Sequence, residues 1–350
     1  MKNKKKSPMM FALCFAVIVI LMFIANYRST LVQELDAPNE GIEKLYTVGN
    51  SLIAISDSDD VYIWDWKELD SEPIIQTVPS EKLLCLDSGK IIIAPSNKPA
   101  TVTVTNLKQS NKNKPFSFGY NWLCKHLSVT RNGQWVALAF IGKTGSSSTK
   151  RIRLAILGPG SEYPKEVLTL NYQKDATVLN ETVISEDGLF IAVAGMKNNV
   201  GWVGIIDVEK KTMLWEKQIE TANDLTDVAF SPNAEFVYAA GEGTALYCFE
   251  TISGNEVQQF MTKDKSLAFN EHRLTCLEVS PNGSIVAAGV NPGNAIHFWD
   301  TATGKHLGMD SGCRGLNNLT FSPDSSMYVV AGRNYGGTFK VRRVPGGASQ

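Results

Sequence analysis

The stretch LTCLEVSPNGSIVAAGVNPGNAIHFWDTATGKHL, running from Leu274, reads as strand, turn, strand, turn, strand. Its apolar runs are too short for helices, and Pro, Asn, Asp and Gly stand where the backbone must reverse. The unit recurs in LTDVAFSPNAEFVYAAGEGTALYCFETISGNEV from Leu225 and LNNLTFSPDSSMYVVAGRNYGGTFKVRRV from Leu316. Weaker copies precede these: LYTVGNSLIAISDSDDVYIWD from Leu45, LLCLDSGKIIIAP from Leu83, LSVTRNGQWVALAF from Leu127 and VISEDGLFIAVAG from Val183. The turn after the first strand falls at Val48, Asp87, Thr130, Ser185, Ser231, Ser280 and Ser322, about 46 residues apart on average. Seven such units consume the chain beyond residue 30 and define an all-β protein.

The Ser-Pro-Asn-Gly turn at Ser280, the Ser-Pro-Asp turn at Ser322, the small-residue strands AAG and VVAG, and third strands ending in Trp64-Asp65 or Trp299-Asp300 resemble WD40 repeats. Only two units keep the Trp-Asp pair, and the Gly-His pair that opens such repeats survives at best as Glu271-His272. The resemblance implies one four-stranded blade per unit and a seven-bladed β-propeller over residues 30–345. The last unit ends after its third strand, and TLVQEL at residues 30–35 matches the outer strands PIIQTV and EVQQFM. Residues 30–35 are therefore expected to complete the seventh blade.

Residues 9–25 (MMFALCFAVIVILMFIA) form a 17-residue run without a charge, behind Lys2, Lys4, Lys5 and Lys6. At about 1.5 Å per residue the run spans about 25 Å, and residues 26–28 extend it towards a bilayer's thickness. Ala25 and Phe23 make a poor cleavage site, and Cys14 lacks the preceding small residue of a lipoprotein signal, so an uncleaved anchor is favoured over a cleaved signal. The reading is a basic cytoplasmic tail at 1–8, a single transmembrane signal-anchor helix at 9–27, and a propeller on the extracytoplasmic side, periplasmic or lumenal. The first strand then begins about 15 Å or less from the bilayer, whose surface would face the Ser-Pro-Asn-Gly turns. The 350 residues carry a net charge of -1, but five cations precede the first acidic residue, Glu34, so the rest carries -6. That balance gives no basis for nucleic-acid binding.

Catalytic patterns are sparse. His126, His272, His297 and His306 show no paired metal spacing, and no metal or cofactor is expected. Gly142-Lys143-Thr144 has Ala137 where a phosphate loop needs glycine, and it precedes a strand instead of a helix. Cys85, Cys124, Cys248, Cys276 and Cys313 read mainly as unpaired core thiols. The inner strands are mostly small and apolar, with Asp227 and Glu278 as the main exceptions.

A disc of loops without catalytic residues points to a membrane-tethered scaffold, or an accessory subunit of a membrane complex, that binds proteins. The expected contacts on its top face are Asp57, Asp59, Lys197, Glu242, Asn291, Arg333 and Tyr335 between second and third strands. Trp122, Glu271, Arg273 and Arg314, leading into first strands, join them. For Trp122, packing between blades is an equal alternative. Asp-x-x-Thr-Gly-Lys after Trp299 also occurs in quinone-dependent dehydrogenases and outer-membrane assembly propellers. The competing reading is thus an envelope quinone- or sugar-binding propeller, whose acidic and His side chains would converge on the channel with perturbed pKa values.

Overall fold

The computed structural model describes residues 31–36, 41–56, 60–77, 83–85, 90–93, 101–106, 109–117, 122–142, 149–159, 161, 164–173, 177–242, 245–261, 273–291, 295–311, 316–332 and 338–345. The lysine-flanked apolar run, with the tail and anchor assigned to it, lies outside the described residues. Among the described residues no helix is long and apolar enough to cross a membrane.

After β1 (Leu31–Asp36) the strands come in fours. They are β2–β5 (Ile42–Val48, Ser51–Ser56, Asp60–Asp65, Ile74–Thr77) and β6–β9 (Leu83–Cys85, Lys90–Ile93, Thr101–Asn106, Gln109–Ser117). The third and fourth sets are β10–β13 (Trp122–Val129, Val136–Gly142, Thr149–Leu157, Lys165–Gln173) and β14–β17 (Thr177–Ile184, Phe190–Lys197, Val200–Asp207, Thr212–Ile219). Next come β18–β21 (Asp224–Phe230, Phe236–Glu242, Leu246–Glu250, Glu256–Phe260) and β22–β25 (Arg273–Val279, Ile285–Asn291, Ala295–Asp300, His306–Ser311). The chain closes with β26–β28 (Leu316–Phe321, Met327–Gly332, Thr338–Arg343). Each set is an antiparallel meander. One backbone bridge, Glu242 to Arg273, joins the fifth and sixth into an eight-stranded sheet, and β1 lies beyond β28 in the order β1-β28-β27-β26. Such sheets arranged around a channel are the blades of a β-propeller.

The turns after β10, β14, β18, β22 and β26 are each built by one hydroxyl. In β22–β23 the Ser280 Oγ–H donates to Asn282 Oδ1 at 2.7 Å and its oxygen accepts the Ile285 N–H at 3.0 Å. Thr130, Ser185, Ser231 and Ser322 repeat both bonds with the residues two and five positions on. A side chain mimicking a backbone turn explains why Ser and Asn or Asp recur at this spacing. The third position past the hydroxyl has positive φ: 75° at Gly188 and 74° at Gly283, but also 57° at Ala234 and 64° at Ser325.

Six inner strands, β2, β10, β14, β18, β22 and β26, each carry a bulge near their start. The extra residue turns the chain, so that the next strand along presses onto the bulge. Gly241, paired with Leu225 beside the Thr226 bulge, shows the result: a Cβ there would lie 2.0 Å from the Asp224 carbonyl oxygen. Gly195 has the same relation to Val178, at 1.9 Å. This is why the second strands end in the small-residue pattern Ala-Ala-Gly.

The core lies between successive sheets, where apolar faces of neighbouring blades pack. Arg342 is fully buried and is neutralised by Asp310, whose two oxygens accept from Nη1 at 2.8 and 2.7 Å, with Tyr328 donating to the same carboxylate. Cys124, Cys248 and Cys276 are buried. Burial pushes the Cys248 thiol up to about 12, far from reactive thiolate.

Candidate functional site

A cavity of about 200 Å³ is lined by the inner strands, and the bulges decide what it contains. The residue after each bulge is Lys44, His126, Glu181, Asp227, Cys276 or Asn318, one per strand at the same depth. All but His126 line the cavity itself.

A belt of side-chain-to-carbonyl bonds runs around this level and ties β10, β14, β18, β22, β26 and β2 in succession. The His126 ring bonds the Leu179 carbonyl through Nε2 at 3.3 Å, and Asn180 Nδ2 donates to Leu225 O at 2.8 Å. Thr226 Oγ1 donates to Leu274 O, and Thr275 Oγ1 to Leu316 O at 2.8 Å. Asn318 Nδ2 donates to Glu43 O at 2.7 Å, joining β26 to β2 across the chain's two ends. Below it Thr320 Oγ1 donates to Thr47 Oγ1, which donates to Phe321 O. At the turn end, the Gly49 N–H donates to Arg131 O at 2.7 Å, so the first and third units meet there directly.

Among the described residues, two ion pairs cross the channel at different depths. Lys44 Nζ of β2 lies 3.4 Å from Glu181 Oε2 of β14, and His126 Nδ1 lies 3.6 Å from Glu181 Oε1. Nearer the turns, Arg131 Nη2 lies 2.7 Å from Glu278 Oε1 of β22 and also donates to Val279 O, while Glu186 accepts the Arg131 N–H at 2.8 Å. The carboxylate beside Lys44 raises that ammonium's pKa further. Burial would raise Glu181, but Lys44, His126 and the Thr182 N–H outweigh it and hold the carboxyl below its ordinary range. Asp227 goes the other way. Burial and the neighbouring Glu181 charge push it well up, against Lys44 and the N–H groups of Leu277 and Val228 that it accepts at 2.8 and 2.7 Å. Burial also raises Glu278, with Arg131 opposing, and lifts Tyr46 to about 12.

At the channel mouth, where the inner strands begin, Arg273 Nη2 lies 3.1 Å from Asp224 Oδ2 and Nη1 lies 3.6 Å from Glu242 Oε1. Asn180 Nδ2 donates to Asp224 Oδ1 at 2.6 Å. Three blades therefore meet in one polar cluster, and Arg273 keeps 43% of its side chain exposed. Of the residues expected on this face, Glu242 and Arg273 are brought together. Lys197 stands apart, 2.6 Å from Glu216 and over the Tyr172 ring. Trp122 is only 5% exposed, with the Arg153 and Arg151 guanidinium groups 4.1 and 5.1 Å from its ring centre. Asn291 ends β23, its backbone opposite Arg273. Asp57, Asp59, Glu271, Arg314, Arg333 and Tyr335 lie outside the described residues.

Sequence reasoning noticed Asp227 and Glu278 but not Lys44, His126, Arg131 or Glu181 as channel residues. A signal existed: counting four residues back from the turn anchors Val48, Thr130, Ser185, Ser231, Ser280 and Ser322 gives Lys44, His126, Glu181, Asp227, Cys276 and Asn318.

No protein-family model matches the chain. Among solved structures it is similar to the β-propeller domain of Cps50 (Swd1) from Myceliophteria thermophila, with a TM-score of 0.66 over 90% of this chain and 99% of that one at 13% identity. Among curated proteins it is 24% identical over 173 residues to the Periodic tryptophan protein 2 homolog of Dictyostelium discoideum, covering 46% of this chain. It is 28% identical over 93 residues to the bovine Serine-threonine kinase receptor-associated protein, covering 27% of this chain. The matched segments span 17% and 24% of those two relatives. Topology and structural likeness together make this a β-propeller fold.

Proposed function

We propose that the chain is a seven-bladed propeller tethered to a membrane through residues 9–27, and that it acts as a non-catalytic scaffold or accessory subunit. Its N-terminus is cytoplasmic and its disc extracytoplasmic. The tether rests on the lysine-flanked apolar run. Binding is assigned to the mouth over the fourth, fifth and sixth units, and the Arg273 cluster is the observation that carries this. A half-exposed guanidinium is held by Asp224 and Glu242 on strands locked by the belt, a rigid platform for a protein partner. Purification from membranes in mild detergent tests it. The same co-eluting protein should be lost with Arg273→Glu and kept with Lys305→Glu on the opposite face. A lone monomer that turns over a sugar or alcohol would overturn the scaffold reading.

The raised carboxyls of Asp227 and Glu278 favour the competing envelope-enzyme reading. Against it, Glu181 and Glu278 are engaged in cross-channel pairs and Asp227 accepts two backbone N–H groups. The 200 Å³ cavity is also below the range of about 300–1,000 Å³ common for small-molecule sites.

A further inference from the structure

The outer strands of the last and first blades carry three exposed apolar side chains where the chain enters the fold. Ile74 and Ile75 on β5 are 63% and 53% exposed, and Val32 on β1 is 43% exposed. Val32 is the extra residue of a bulge in the pairing of β1, the outermost strand of its sheet, with β28. Gln33 Nε2 donates 2.9 Å to the Leu69 carbonyl, which fixes β1 beside the loop leading into β5, so the three side chains belong to adjoining edges. All lie towards the turn end. Leu31 pairs with Arg342, two residues before Val344 bonds the Ser326 carbonyl in the last turn, and Ile74 pairs with Ile63, two residues before Asp65.

We propose that this rim contacts the lipid bilayer, with Val32, Ile74 and Ile75 in the headgroup and upper acyl region of the leaflet that the chain has just crossed. The proposal rests on the tether reading. Six residue steps separate Ala25, the end of the apolar run, from Leu31, which confines the rim to about 20 Å from the bilayer core. Away from the chain entry the turn face presents Asn132, Glu186, Asn233, Asn282 and Asp324, and its exposed apolar side chains, Leu189 and Ile252, stand in the fourth and fifth units, so the short connection tips the disc onto the entry rim instead of laying it flat. Asp65, Glu68, Asp70 and Glu72 are exposed beside Ile74, so the surface that fits is zwitterionic and not anionic. Val257, 52% exposed on the outer strand of the fifth unit, is equally apolar but far along the chain from this junction.

The test uses the full chain in phosphatidylcholine vesicles, with Cys14, Cys85 and Cys313 replaced by alanine. An environment-sensitive fluorophore is attached at Ile74→Cys, Val32→Cys or Val257→Cys. The expected result is blue-shifted emission at positions 74 and 32, quenched by spin-labelled lipid, with position 257 reporting water. If the chain floats with the vesicles but positions 74 and 32 report water like 257, the rim proposal fails and the tether stands. A blue shift without lipid quenching means that protein, including a second copy of the chain, covers the rim, and overturns the lipid assignment. Failure to float refutes the tether and the rim proposal together.

Discussion

Replacing Arg131 with methionine isolates the deeper of the two channel crosspieces. Methionine keeps most of the stem's packing but removes a guanidinium 2.7 Å from Glu278. Two charges about 4 Å apart at an effective dielectric of 20 attract by about 4 kcal/mol. Both side chains keep about a quarter of their surface, 23% and 25%, so solvent screening reduces this, and a net loss of about 2 kcal/mol is expected. The pH dependence is the sharper mark. Burial already raises Glu278 above its ordinary 4.5, with Arg131 opposing, and R131M removes that opposition. An acid whose folded pKa is raised loses stability as pH climbs from the unfolded value towards the folded one. The R131M defect should therefore be largest at pH 7.5 and fade below pH 4.5, where folded and unfolded chains both hold the proton. Thermal unfolding across this range should show a midpoint drop of about 4 °C at pH 7.5. R131M/E278Q should recover at least half of it. A defect that grows with acidity, or no recovery in the double variant, would refute the crosspiece argument.

Thr275→Val keeps the side chain's shape but removes the belt bond to Leu316 O, and urea unfolding should show a loss of about 1 kcal/mol. Gly241→Ala places a Cβ 2.0 Å from the Asp224 carbonyl and 2.6 Å from Leu225 Cα, both backbone, so it should cost about 3 kcal/mol or leave insoluble chain, read by soluble yield and melting. Ala234→Gly relieves a φ of 57° in the turn after β18 and should be neutral to stabilising by up to about 1 kcal/mol in the same assay.

The turns were legible in the sequence because each is a local device. The Ser280 hydroxyl and the Asn282 side-chain oxygen make their bonds within six residues, and Asp300 closes its hairpin by accepting from Thr303 N at 2.8 Å and Oγ1 at 2.6 Å, with Gly304 at φ 66°. Period and strand pattern follow from such devices. The channel was not legible, because a bulge is a property of two strands in register. Nothing between Leu179 and Glu181 marks Asn180 as the extra residue; the pairing of Leu179 with Gly195 and of Glu181 with Ala194, which skips it, does. The charged partners then lie far apart in sequence, Lys44 with Glu181 and Arg131 with Glu278, so neither pair follows from spacing. Trp122 shows the opposite failure. Its residue type suits an interface, but Arg151 and Arg153 occupy the space above its ring.

The channel charges bear on how a partner is recognised. Each crosspiece joins units that are not neighbours, while the belt joins those that are, so moving β2, β14 or β22 breaks bonds of both kinds. A ring constrained in this way loses little conformational freedom when a partner docks, and preorganisation of that sort strengthens binding without adding contact area. It also leaves the depth of the channel occupied by the protein's own Lys44, Arg131, Glu181 and Glu278. In the proposed scaffold, a docking protein would meet Arg273, Asp224 and Glu242 at the mouth, where Arg273 would exchange one of its two carboxylate partners for a partner's acidic side chain. On this reading, Glu242→Gln should strengthen an acidic partner's binding and Asp224→Asn should weaken it, because Asp224 also holds Asn180 and with it the belt.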